Sequence, residues 1–426
     1  MYLKGSKWSM MRRRKRSNPW RIIVLALLVV AALYFNQVVV PATPPLFVPT
    51  PTPTRSPESF ITDAENLLKE GKTQQAIQAY ELAIQANPKN GTLFLTLARL
   101  QMSLGKYQEA LTNAENALLL NPNNSMAHAV RGYALGLQEE YLNAVAALKR
   151  AIELEPNNAI AYAYYAEVLA LQAQAGLGDL GTMDKAIDAS RKAMELDPTA
   201  LETHRARGLV LELTGNYTEA AREFEAAIAI NPNVADLHLA LGRNYRYLEQ
   251  YDRAVEEFNY SNALNPADPL PDVYASRTYA TVGEFAKAIQ YAQQAVKDEP
   301  SNPYWHGNLG VMYARNLENE SAVQALRLAV RGGTAEDGTP VEGLPLNYGR
   351  VAEYYSTYGL VLARTGNCRE AIEISQALAR GVPNDEISLF NAQEITTICK
   401  QMIENPPTPP PEATETPQDN LITPSP

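Results

Sequence analysis

Few side chains in this chain of 426 residues could ligate a metal or attack a substrate, since it holds four histidines and two cysteines. All four histidines occupy one equivalent position of a repeated helical pattern, so neighbouring ones should be separated by a helix spacing or more, about 8 to 10 Å. That distance is too long for them to share one metal ion. We therefore expect packing side chains, and no metal site, at His128, His204, His238 and His306.

A glycine-rich stretch from Gly176 to Gly181 matches the GxGxxG pattern of dinucleotide-binding loops letter for letter. Such a loop binds phosphate only when a strand enters it and a parallel sheet supports the cofactor. The preceding sequence AYAYYAEVLALQAQ is helical in pattern instead. We predict no cofactor here, but a flexible loop between two helices near residues 173–182, with Thr182 or Asp184 as the cap of the second helix.

The sequence also lacks a nucleophile elbow, a P-loop and a metal-ligand cluster, so we do not expect an enzyme.

The net charge of the chain argues against a further class of function, the binding of nucleic acid. Eight of the 37 Lys and Arg residues lie in residues 1–40, which contain no acid, and the remainder therefore carries a net charge of −18. Because such a body repels nucleic acid backbones, we do not expect DNA or RNA as partners.

Prolines at fixed intervals show how the chain is organised. They recur every 34 residues, with one step of 42, and each follows Asn, Asp or Glu at the end of a helical pattern: Pro88, Pro122, Pro156, Pro198, Pro232, Pro266 and Pro300. With this proline counted as position 32, alanine occupies position 20 in nine successive units, and a small residue occupies position 8. Small residues at both positions predict two closely packed helices in each unit.

Aromatic residues fill the larger positions of the same units, and glycine often marks the turn between the two helices. A 34-residue helix-turn-helix unit with this alternation resembles the tetratricopeptide repeat family. The resemblance implies an all-α fold, a right-handed superhelical solenoid of about nine two-helix repeats over residues 58–404. A terminal helix at residues 385–404 would cap the apolar face of the last repeat.

The two cysteines fall in the last repeat and in the predicted cap. Cys368 starts the second helix of repeat 9, and Cys399 lies near the end of the cap helix. These helices should run antiparallel, so the start of one meets the end of the other, within reach of a disulfide. We predict a disulfide between Cys368 and Cys399, with two free packing thiols as the alternative.

A second insertion, residues 332–349, is polar and rich in glycine, and we predict a long surface loop. Loops of this length are often functional. A tolerated insertion is equally compatible with the sequence, because the entropy of loop closure grows slowly with length.

An apolar stretch from Ile22 to Val40 predicts one transmembrane helix, since 19 residues rise roughly 28 Å as a helix. The basic residues 1–21 should stay in the cytoplasm, which places the following body outside it. A cleaved signal peptide is the alternative, because the strictly apolar part ends at Phe35. Both interpretations place the body outside the cytoplasm.

Two segments rich in proline and threonine bracket the body, residues 41–57 and 405–426. Their composition cannot bury a core. The first predicts either an extended spacer of roughly 50 Å or a plain disordered linker, and the second predicts a disordered tail.

In the family that the chain resembles, first helices line the concave face of the superhelix, and positions 2, 5, 9, 12 and 13 point into it. Here that face would present arginine and tyrosine within an acidic body: Tyr133, Tyr164, Arg205, Arg243, Arg246, Tyr247, Arg277 and Arg315. We predict that it holds an extended acidic peptide, with arginines on its carboxylates. Pairing of these arginines with local Glu and Asp is the alternative.

The sequence thus favours a membrane-tethered, extracytoplasmic scaffold that binds a protein or peptide partner. Two other functions stay open: an accessory subunit of an envelope enzyme complex, for glycans or secretion, and a passive spacer. Capture of a protein by an exposed groove would distinguish the scaffold from the spacer.

Overall fold

The computed structural model describes residues 18–39 and 55–404, and the side chains of residues 38 and 39 are not described. The basic segment before residue 18, the segment 40–54 and the tail from residue 405 lie outside the described residues, as do the predictions made for them. The chain divides into two units, Met1–Ser56 and Pro57–Pro426.

In the first unit, helix α1 (Pro19–Tyr34) continues into a π-helical turn at Phe35–Val39. Its start fits capping chemistry, because Asn18 accepts a hydrogen bond from the backbone N–H of Trp20 and proline occupies the first turn. The stretch Pro19–Gln37 is long and apolar enough to cross a membrane, and a signal sequence would meet the same criterion.

In the second unit, consecutive helices form antiparallel pairs, and a single helix follows the ninth pair. Within residues 57–404 the helices are α2 (Pro57–Lys69), α3 (Thr73–Ala86), α4 (Gly91–Ser103), α5 (Tyr107–Leu120), α6 (Ser125–Leu137), α7 (Tyr141–Leu154), α8 (Ala159–Gln174), α9 (Thr182–Leu196), α10 (Leu201–Leu213), α11 (Tyr217–Ile230), α12 (Ala235–Tyr247), α13 (Tyr251–Leu264), α14 (Leu270–Thr281), α15 (Phe285–Asp298), α16 (Pro303–Arg315), α17 (Asn319–Arg331), α18 (Arg350–Arg364), α19 (Cys368–Gly381) and α20 (Glu386–Glu404).

Small residues set the distance between the two helices of each repeat. The alanines at position 20 are fully buried in all nine repeats: Ala76, Ala110, Ala144, Ala186, Ala220, Ala254, Ala288, Ala322 and Ala371. At position 8, a Cβ on Gly242 would lie 2.5 Å from the ring of Phe258, so only glycine fits there without a shift. The predicted solenoid of nine helix pairs and a terminal helix is confirmed.

Three of the four histidines, His128, His238 and His306, join consecutive repeats. In each of these three, Nε2 donates to the carbonyl oxygen of the proline six residues earlier, as in His128 to Pro122 at 2.9 Å and His306 to Pro300 at 2.8 Å. His204 instead contacts Glu223 through Nδ1, at 2.7 Å. Among residues 18–39 and 55–404, no group of three or more His, Cys, Asp or Glu side chains is arranged to hold a metal.

The glycine-rich stretch lies between α8 and α9, both of which are helices. Thr182 and Asp184 do not cap α9: the cap position is Gly181, and no side chain caps it. The oxygen that closes the loop belongs to Asp179, which accepts from the N–H of Gly181 at 3.1 Å and from the hydroxyl of Thr182 at 2.8 Å. The predicted cap was wrong because the acceptor lies earlier in the loop.

The insertion 332–349 is more ordered than the predicted surface loop. It forms a short antiparallel hairpin, with β1 (Gly333–Thr334) paired to β2 (Pro340–Val341). The chain then returns to the core, where Leu344 is buried and its N–H donates to the carbonyl oxygen of Ala329 at 2.8 Å. The polar composition concealed two apolar side chains, Val341 and Leu344, that are buried, and Leu344 packs in the core cluster of the last repeats.

Stability should depend on pH through Asp272, which is 2% exposed in α14 and is contacted by Asn262. Burial, reinforced by Asp298, raises the pKa of Asp272 to about 7. Because the folded pKa exceeds the unfolded value of about 4, the stability contributed by the protonated carboxyl is full below pH 4 and is lost as pH rises through 7. We expect Asp272→Asn to reduce the difference in unfolding free energy between pH 5 and pH 8 by about 1 to 2 kcal/mol.

Urea unfolding at pH 5 and pH 8 tests this expectation. Asp188→Asn is the control, because Asp188 is exposed and paired only with Arg191 on the same helix. Equal pH dependence in wild type and Asp272→Asn would contradict the assignment of the proton to Asp272.

Candidate functional site

Three of the predicted groove residues meet in a closed cluster around Glu167. The rings of Tyr133 and Tyr164 stack at 4.2 Å between centroids, and the guanidinium of Arg205 lies 5.0 Å from the centroid of Tyr133. Glu167 receives two hydrogen bonds, from the Tyr133 hydroxyl at 2.7 Å and from Nε of Arg205 at 3.0 Å. These contacts link the first helices of repeats 3, 4 and 5.

The closed cluster is shielded from solvent. Both tyrosines are buried, and Glu167 is 3% exposed. Burial raises the pKa of Tyr164 to about 12, and burial also raises the pKa of Glu167. Since its main polar groups satisfy one another, this cluster offers little to an incoming peptide, although Nη2 of Arg205 has no hydrogen-bond partner among the described residues.

An ion pair crosses the concave side near the closed cluster. Arg99, in the first helix of repeat 2, pairs with Glu202, in the first helix of repeat 5. Beside this pair lies a cavity of about 220 Å³, lined by residues of repeats 2 to 6, including Tyr107 and Asp236. The ion pair and the cavity thus bring residues of repeats 2 to 6 together.

Two further predicted residues, Arg243 and Tyr247, lie on α12. Arg243 forks onto both carboxylate oxygens of the buried Glu212, at 2.8 and 3.0 Å. Tyr247 stacks on Tyr217 at 4.4 Å between centroids and is 55% exposed. Arg243 is thus paired within the solenoid, as the alternative interpretation expected, whereas Tyr247 remains accessible.

The remaining predicted arginines converge on a small cavity of about 90 Å³ in repeats 6 to 9. A fourth arginine joins them, and we call this set the basic pocket: Arg246, Arg277, Arg315 and Arg350. Nε of Arg277 donates to Asn308 at 3.0 Å.

Partners of the other three arginines are few. Glu353 lies 2.6 Å from Arg350 and 3.6 Å from Arg315. Arg246 has no ion pair among the described residues, and its Nε is buried without a hydrogen-bond partner. The basic pocket therefore holds four cations against one carboxylate.

Sequence reasoning left open that Glu and Asp pair with these arginines but did not name the partners, although the signal was present. Glu167, Glu202 and Glu212 occupy positions 9, 2 and 12, which are groove positions, and each pairs with an arginine of the concave side. Arg350 was missed for another reason, because it precedes the repeat pattern directly after the insertion and falls outside the five groove positions.

The two cysteines meet at the end of the solenoid. Cys368 and Cys399 form a disulfide with their Cα atoms 5.4 Å apart, which joins the start of α19 to the end of α20. Cys399 is buried, and it packs in the same core cluster as Ile395 and Leu362.

A row of two-helix units with side chains gathered along its first helices defines the class of α-helical repeat solenoids. Models of the tetratricopeptide repeat match four parts of the sequence, residues 67–132, 127–158, 201–234 and 275–337. Together with the 34-residue pattern and the helix pairs, these matches show that the chain contains tetratricopeptide repeats. Proteins built from this repeat are generally noncatalytic scaffolds, and the repeats of this chain support a role as a protein–protein interaction scaffold.

Solved structures of other tetratricopeptide repeat proteins are similar to parts of the chain. A protein from Parabacteroides merdae is 18% identical, with 60% of this chain and 98% of that one covered and a TM-score of 0.38. A thermophilic protein from Thermus thermophilus is 22% identical, with 45% and 99% covered and a TM-score of 0.39. No curated protein matched the chain significantly.

Proposed function

We propose that the chain is a membrane-tethered, extracytoplasmic scaffold that holds an extended acidic segment of a partner protein along the concave side of repeats 6 to 9. The observation that carries the proposal is the basic pocket, with four arginines against one carboxylate in a body of net negative charge. Such a pocket attracts carboxylates, since charge-assisted hydrogen bonds from arginine are strong and directional.

The contacts divide the eight predicted residues between two roles. We assign partner contact to Arg246, Tyr247, Arg277 and Arg315, because they lie at the pocket or are exposed beside it. The other four predicted residues, Tyr133, Tyr164, Arg205 and Arg243, are assigned to holding the first helices together, because their partners lie within the solenoid.

Two features support the proposed location. The apolar stretch Pro19–Gln37 follows a run of basic residues, an order that favours a cytoplasmic start and an exported body. The disulfide between Cys368 and Cys399 agrees with this location, because disulfides persist in oxidising compartments.

Affinity capture with a groove variant tests the proposal. Arg246→Glu with Arg315→Glu reverses two charges of the pocket and spares Arg243, whose reversal would place a second carboxylate against Glu212. The control is Arg150→Glu with Lys192→Glu, which makes the same change in net charge on exposed side chains of second helices. Both variants and the wild-type chain are used as bait in the source membrane fraction.

We expect one set of proteins to be captured equally by the wild type and the control. The captured amount should be at least tenfold lower with the groove variant, because charge-assisted contacts are lost. Circular dichroism of each bait confirms that it is folded. Equal capture by all three baits would contradict the groove assignment, and recovery of no protein above background would indicate a passive spacer.

A further inference from the structure

We propose that the basic pocket is a recognition site for a phosphate monoester group, a doubly charged tetrahedral oxyanion, carried by the partner segment. The inference rests on the proposed function, since it specifies what the groove of repeats 6 to 9 takes from its partner. It adds a residue, Arg350, that does not lie at a groove position of the repeat.

The charge balance of the pocket favours a dianion. Four guanidinium groups face one carboxylate, that of Glu353, so three positive charges are left over. A single carboxylate group on a partner would neutralise one of them. A phosphate monoester carries a charge of about −1.5 to −2 at neutral pH and neutralises most of the excess.

The directions of approach also favour a tetrahedral group. The four arginines come from the first helices of repeats 6, 7, 8 and 9, so their guanidinium groups reach the cavity from different helices. A phosphate group offers three acceptor oxygens that point in different directions, whereas the two oxygens of a carboxylate lie in one plane. A cavity of about 90 Å³ has room for a small group of this kind.

The arginines are only partly satisfied by the solenoid itself. Nε of Arg246 is buried without a partner among the described residues, which is costly unless a ligand supplies an acceptor. Burial, followed by the charge of Arg350, lowers the pKa of Arg277. The contribution of Arg350 places its guanidinium group close enough to that of Arg277 for the two charges to repel each other.

Titration of the purified full-length chain in detergent tests the inference. Two probes separate phosphate as such from phosphate on a peptide: inorganic phosphate, and a short acidic peptide with one phosphoserine compared with the same peptide carrying serine. Acetate serves as the monoanionic comparison. Binding is followed by calorimetry and by the shift in the unfolding temperature.

The variants are Arg350→Gln and Arg150→Gln. The two arginines are matched, since each pairs with a glutamate three residues later, and their side chains are 47% and 49% exposed. Arg350 lines the pocket, while Arg150 lies on the second helix of repeat 3, so both variants should fold and only the first should alter the pocket.

We expect inorganic phosphate to bind more tightly than acetate, and the phosphoserine peptide to bind at least tenfold more tightly than its serine counterpart. Arg350→Gln should abolish both preferences, and Arg150→Gln should keep them. Equal binding of phosphate and acetate, or preferences unchanged in Arg350→Gln, would overturn the inference. If capture by the groove still depends on Arg246 and Arg315 in that case, the proposed function stands and only the phosphate assignment fails.

Discussion

Replacing Glu167 by alanine is expected to lower the free energy of unfolding by about 3 to 5 kcal/mol, the cost of leaving a buried charge without its partner. Glu167 is 3% exposed and accepts hydrogen bonds from Tyr133 and Arg205. Without its carboxylate, both donors of the closed cluster lose their acceptor. The change is measured by guanidinium unfolding followed by circular dichroism.

Two comparisons make the result specific. Glu153→Ala removes an exposed carboxylate that pairs with Arg150 on the same helix, and it should change stability by less than about 1 kcal/mol. Glu167→Leu combined with Arg205→Met removes both charges, and it should recover much of the loss, because an apolar pair of similar volume often replaces a buried ion pair. A loss below about 1 kcal/mol in Glu167→Ala would contradict the structural role of the closed cluster.

The repeat pattern was sufficient to predict the fold because packing within a repeat is local. Position 20 and position 8 lie 12 residues apart in every repeat except the fourth, and their small side chains let the two helices pack closely. The same pattern says nothing about contacts between distant repeats. Arg99 and Glu202 are 103 residues apart and meet only because the solenoid curves.

The candidate site was predictable in part for the same reason. Repeat positions placed Arg246, Arg277 and Arg315 on the concave side, and the structure brings these three to one cavity. The positions alone could not show which arginines find a carboxylate, since that depends on the rotation between neighbouring repeats. Arg205 and Arg243 find one, whereas Arg246 does not.

The insertion determines the rest of the site. Residues 332–349 form a hairpin and a return segment, and α18 begins directly after them at Arg350. The backbone N–H of the buried Leu344 donates to Ala329, and the carbonyl oxygen of Leu344 accepts from the hydroxyl of Tyr355 at 2.7 Å. These contacts fix where α18 starts. An insertion that the sequence left as either functional or tolerated thus contributes to the placement of the fourth arginine of the basic pocket.

Loss of the disulfide between Cys368 and Cys399 is expected to be the second largest effect, about 2 to 4 kcal/mol, because the bond closes a loop of 31 residues and restricts the unfolded chain. In the folded state, loss of the bond should weaken the attachment of α20, whose Ile395 lies against Gly359 of repeat 9. Dithiothreitol should lower the unfolding temperature of the wild type. The double variant Cys368→Ser with Cys399→Ser should have a lower unfolding temperature than the wild type, and dithiothreitol should not change it.

The same bond ties stability to location. In a reducing compartment the thiols would be free, and the cap would depend on packing alone. Labelling with a membrane-impermeant maleimide after denaturation, with and without prior reduction, measures the state of the two cysteines in the native membrane fraction. We expect labelling only after reduction; free thiols in the untreated sample would contradict both the disulfide and the export of the body, while leaving the fold of the nine repeats intact.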